Sequence, residues 1–195
     1  MIAMAKKQEF KPDKSSTSLL NYLILTKKQQ RSALKWIFYS AFLVLLSVVQ
    51  DVLLSRVRLL GATTELVPCV IFLICLIEGT HTGSIFSLIA GLLYLFSGTA
   101  PGPYSMVAIT FLSVGVCIFR QAYLQETFSS IMLCMVIAML LYTLVNFAFG
   151  LFLGLTRFSR IHGFLITAIL TLFTAPVFYP VIKAINAFGG HSWKE

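Results

Sequence analysis

The sequence predicts an all-α integral membrane protein with about six transmembrane helices, and three observations carry that prediction. Apolar residues make up 58% of the 195 and charged residues only 11%, whereas soluble domains run about 45–50% apolar and about 25% charged. The apolar residues are gathered into six runs separated by short polar breaks. The charge is gathered too: residues 1–35 hold eight Lys or Arg (Lys6, Lys7, Lys11, Lys14, Lys27, Lys28, Arg31, Lys35) against Glu9 and Asp13, which is +6 of the net +8. A basic chain with pI near 9.5 can signal nucleic-acid binding. Here the basic residues sit beside the first apolar run, the pattern of a cytoplasmic tail obeying the positive-inside rule, and no nucleic-acid partner is predicted.

Residues 1–35 form the first region, a basic cytoplasmic tail. Its first 17 residues are polar and basic with Pro12, a composition that does not bury enough surface to fold alone. Residues 18–25 (SLLNYLIL) are apolar but too short to cross a bilayer, and Lys27, Lys28 and Arg31 follow. The stretch 18–28 reads either as an interfacial helix held on an anionic leaflet or as a segment docked on the protein's own bundle. A cleavable signal would have a short charged region and a small-residue cleavage site. Here the charged region is long and Ser55-Arg56-Val57-Arg58 follows the first apolar run, so that run is expected to stay as an anchor.

The six apolar runs cover residues 36–55, 65–78, 83–96, 104–120, 128–155 and 161–187, giving a transmembrane bundle over 36–187 and a short C-terminal tail over 188–195. They are expected to be helical because a backbone exposed to lipid must satisfy its own hydrogen bonds, and none shows the alternation of a barrel strand. The second and third runs hold only 14 residues each. They are either short helices buried among the others or a re-entrant pair turning at Glu78-Gly79-Thr80-His81. The breaks carry turn residues: Gly61, Gly79, the run from Gly98 to Pro103, and Arg157 to Arg160. With six crossings, eleven Lys or Arg fall on the side of the N-terminus and four on the other, which places both termini in the cytoplasm.

Candidate packing residues lie in stripes. Asn146, Gly150 and Gly154 recur every four residues, as do Gly83, Ser87 and Gly91, and Gly163, Thr167, Thr171 and Ala175. Small residues at this spacing let helices approach, and Asn can bond across the contact, inside the bundle or onto a partner. Pro176 and Pro180 can bend the last helix. Gln50 and Asp51 are the intramembrane polar candidates, with Asp51 expected to pair with Arg56 or Arg58 near the interface. Glu65 suits the positive end of a helix dipole, while Glu78 and His81 are expected to be solvated beside a turn. The four cysteines (Cys69, Cys75, Cys117, Cys134) sit inside apolar runs without a CxxC and read as small hydrophobes. No HExxH, GxSxG or phosphate loop is present. The reading is therefore of a non-catalytic protein with no cofactor and no metal.

The run from Val49 to Gly102 resembles the rod shape-determining protein MreD family. Its first helix ends in Gln50-Asp51-Val52-Leu53-Leu54 and is followed by Leu59-Leu60-Gly61. An acid-leucine helix start follows at Thr64-Glu65-Leu66-Val67, then a glycine-spaced hairpin with Gly79, Gly83 and Gly91-Leu92-Leu93, and a turn with Gly98 and Gly102. The Tyr179-Pro180 pair in the last helix fits as well, and helix order agrees over 36–187. Two positions depart: Thr64 stands where the family has proline, and Tyr94 where it has aspartate after Gly-Leu-Leu. The resemblance implies a six-helix fold similar to the S components of energy-coupling factor transporters. It also implies a scaffold role in bacterial cell elongation and cell-wall biogenesis at the plasma membrane, beside membrane lipids, an MreC-like protein, RodA and a class B penicillin-binding protein. The competing expectation is an S component that binds a small molecule in a polar cavity lined by Gln50, Asp51, Tyr94 and Asn146.

Overall fold

The computed structural model describes residues 27–54, 63–98, 100–123 and 127–189. These form six α-helices and no strand: α1 (Lys27–Val49), α2 (Leu66–Glu78), α3 (Thr80–Phe96), α4 (Pro103–Tyr123), α5 (Phe128–Phe152) and α6 (Ile161–Gly189). A five-residue π-helical stretch, Gln50–Leu54, extends α1, and a single 3-10 turn, Phe158–Arg160, leads into α6. α1, α4, α5 and α6 carry segments long and apolar enough to cross a membrane.

The organising element is α2. Its sequence LVPCVIFLICLIE is apolar all round except at the last residue, and all 13 of its residues are buried. A helix without a polar face belongs inside a bundle, and α2 packs against each of the other five helices. Thirteen residues span only about 20 Å, against roughly 30 Å of hydrocarbon. Residues 65–78 thus form a short helix buried among the others. α3 returns directly, reversing at Gly79, whose φ of +90° is left-handed space that favours glycine.

The outer helices are inside-out relative to a soluble protein. Ile37 and Val48 on α1, Phe111 on α4, Leu144 on α5 and Phe173 on α6 are all more than half exposed. Water would penalise such surfaces, whereas lipid does not. Buried hydroxyls are mostly silenced within their own helix: Ser87 donates to the Ser84 carbonyl at 2.9 Å, Thr143 to Met139 at 2.8 Å and Thr171 to Thr167 at 2.7 Å.

Two boundaries in particular differ from the sequence reading. α1 begins at Lys27, so the last nine residues of the basic tail are helical. The interfacial-helix expectation over 18–28 falls outside the described residues except for Lys27 and Lys28, which open α1. α5 ends at Phe152 and not at 155. There Leu155 donates to the Gly150 carbonyl at 2.8 Å and Gly154 to the Leu151 carbonyl at 3.1 Å, the paired bonds of a Schellman cap. Gly154, at φ +69°, is the left-handed residue that such a cap requires.

Candidate functional site

Polar groups concentrate at the two ends of α2. At its C-terminus Glu78 is 4% exposed and sits at the negative end of the helix dipole, the unfavourable end for a carboxylate. Lys35 of α1 offsets this with an ion pair, Nζ to Oε2 at 2.6 Å. Tyr39, one turn further along α1, donates its hydroxyl to Oε1 at 2.8 Å, so both carboxylate oxygens are used. The same ammonium lies 3.5 Å from Oδ1 of Asn186, and the Tyr39 oxygen 3.5 Å from the Ile182 carbonyl, both on α6. Trp36 and Phe86 cover the group, their rings 5.7 and 6.0 Å from that of Tyr39. The guanidinium of Arg120, on α4, donates to the Leu76 carbonyl, capping the end of α2 with a second cation. A buried pair with both carboxylate oxygens engaged, and with contacts reaching α6, holds three helices in one register.

At the N-terminus of α2 the free amides are capped from a distance. Gln50 Oε1 accepts from the Val67 amide at 3.0 Å, and the Glu65 amide donates to Thr171 Oγ1 at 3.0 Å. Beside them the Glu65 carboxyl, the hydroxyls of Tyr94 and Tyr142 and the amides of Gln50 and Asn146 lie within electrostatic reach of one another. Tyr94 and Tyr142 have no exposed surface and Asn146 is 3% exposed. Tyr142 and Asn146 share a face of α5, one turn apart. Neither the Tyr142 hydroxyl nor Asn146 Oδ1 closes a hydrogen bond of normal geometry, which is costly for buried polar atoms.

The predicted site residues scatter between these ends. Gln50 is a cap, whereas its neighbour Asp51 is exposed, so the two do not act together; Arg56 and Arg58 lie outside the described residues. Gly83 is a true close-packing glycine: a Cβ there would stand 2.8 Å from the Cys75 carbonyl oxygen and 2.9 Å from its Cα and Sγ. Gly91 meets Met106 of α4 at an ordinary 3.5 Å, and Ser87 is buried. The Asn146-Gly150-Gly154 stripe is not one packing face. Gly154 is exposed and belongs to the cap, and a Cβ on Gly150 would meet the Thr156 side chain at 3.0 Å in the turn beyond α5, not a facing helix. Glu78 is a correction as well: it is buried and paired, not solvated at an interface.

Sequence reasoning missed Lys35, Tyr39 and Asn186. The available signal was Lys35 and Tyr39 at four-residue spacing at the head of an apolar run, with an acid closing the next run. A Lys that the chain carries into a bundle needs such a counter-charge. Comparisons with protein-family models, with curated proteins and with solved structures return no match.

Proposed function

We propose that this chain is a non-catalytic scaffold subunit of the bacterial cell-elongation machinery, a multi-pass protein of the plasma membrane with both termini cytoplasmic. The observation that carries the reading beyond the family resemblance is how α2 is held. Five helices surround it, and most of the polar side chains at its two ends are spent on fixing it, so the bundle is a rigid body whose outward faces are free for lipid and partner helices. The partners proposed are an MreC-like protein and, with it, RodA and a class B penicillin-binding protein. Purifying the tagged full-length chain from its native membrane should bring down an MreC-like protein. Recovery of a transporter ATPase module instead would overturn the proposal. A reporter fused after Glu195 should be active only on the cytoplasmic side; activity on the outer side would refute the orientation.

A second reading is supported by the unsatisfied Tyr142 and Asn146 atoms beside Glu65 and Tyr94. Partly satisfied polar groups converging inside an apolar bundle are what a small-molecule site needs, as in a transport-type S component. Mass spectrometry of small molecules released from the purified protein separates the two readings.

A further inference from the structure

One turn inside the Glu78 end, two thiols face each other across the contact between α2 and α4. Cys75 Sγ and Cys117 Sγ are 2.9 Å apart, with exposures of 0% and 1%. Cys75 is held from two sides. Gly83 of α3 leaves no space behind it, and the Ser113 carbonyl, one turn before Cys117 on α4, lies 3.6 Å from its sulfur. The sulfurs are thus pinned about 0.9 Å short of the roughly 2.05 Å of a disulfide bond.

We propose that Cys75 and Cys117 form a redox-closable dithiol that staples α2 to α4. Closure joins the two sulfurs, breaks two S–H bonds and passes two protons and two electrons to a lipophilic acceptor. A quinone would take them to become the quinol, and an azodicarboxamide would become the hydrazodicarboxamide. With diamide the first sulfur adds across the N=N bond. The second then attacks the first, the S–N bond breaks and the hydrazine leaves with both hydrogens. Because the bundle encloses both sulfurs, closure and reopening proceed only through local opening. The oxidised state therefore resists thiol reductants as long as the fold is intact. The bridge ties the central helix to a residue 42 positions away and limits how far α4 can move from the α2–α3 hairpin.

The test uses membranes holding the full chain, treated with diamide and in parallel with copper phenanthroline. The protein is then denatured, its free thiols are blocked with N-ethylmaleimide, and after removal of the blocker it is reduced and labelled with a maleimide polymer. Two polymer adducts are expected after oxidation and none in the untreated sample, and digestion should yield the peptide pair joined through Cys75 and Cys117. In detergent the oxidised protein should melt at a higher temperature than the reduced one. Cys75→Ala or Cys117→Ala should abolish the adducts, while the Cys69→Ala, Cys134→Ala double variant should keep both. No adduct with either oxidant, or a bridge between Cys117 and Cys134 in the wild type, would overturn the proposal. The wild-type peptide map decides between these outcomes even where a variant fails to fold.

Discussion

The two ends of α2 carry similar chemistry in different states of completion. At the Glu78 end a carboxylate, an ammonium, a tyrosine hydroxyl and an asparagine interlock, with both carboxylate oxygens used. At the Glu65 end a carboxyl, two tyrosines, a glutamine and an asparagine gather, yet two buried polar atoms close no hydrogen bond of normal geometry. Packing follows the same division along α3, whose first turns press Gly83 against the α2 backbone while Gly91, two turns on, has ordinary clearance from Met106. A densely bonded network fixes geometry, whereas one with fewer closed bonds holds it less tightly. The Glu78 end is accordingly the structural lock, and the Glu65 end is the less completely bonded of the two.

The largest expected effect comes from breaking the lock on one side. Glu78→Ala leaves the Lys35 ammonium buried without its counter-charge and should destabilise the protein by about 3–5 kcal/mol in denaturant unfolding in detergent. Replacing Lys35 and Glu78 together with Met should recover much of that loss, because the desolvation cost leaves with the charges. A double variant as unstable as the single one would mean that register depends on the hydrogen bonds and not on the charge balance.

Gly83→Ala probes the difference in packing between the two ends. Its Cβ would meet backbone that a rotamer change cannot move, so a loss of about 1–3 kcal/mol is expected. Gly154→Ala should cost about 1–2 kcal/mol through left-handed strain at the cap of α5, and Gly154→Asn less, since Asn tolerates that conformation. Gly91→Ala should change stability by less than about 0.5 kcal/mol. Equal effects at Gly83 and Gly91, in the same unfolding assay, would erase the difference between the two ends.

Much of the architecture is legible in the sequence because it rests on composition and periodicity. The six helices, the reversal at Gly79 and the break before α6 all follow from apolar runs and turn residues. Residues 65–78 read as unusually apolar and short, and burial among five helices is the physical reason. The site was less legible, since polar residues reveal their type but not their partners. Lys35 looks like one more charge of a basic tail, and its role depends on Glu78, 43 residues away. Gly154 looks like the next member of a small-residue stripe, because four-residue spacing does not show that the helix has already ended. Gln50 and Asp51 are adjacent, yet only Gln50 turns inward, at the point where the helix widens to π geometry.

One chemical change made at both ends bears most directly on the contrast between them. Tyr39→Phe and Tyr142→Phe each delete a hydroxyl from a side chain with no exposed surface, so the apolar burial is the same and only the bonding differs. Unfolding both variants in one detergent should show Tyr39→Phe less stable than the wild type by about 1.5–3 kcal/mol, the range for a hydrogen bond to a charged group. Tyr142→Phe should cost clearly less, because its hydroxyl closes no hydrogen bond of normal geometry and has only weaker polar contacts to lose. Equal losses in the two variants, or a larger loss at Tyr142, would contradict the division of the molecule into a locked end and an open one.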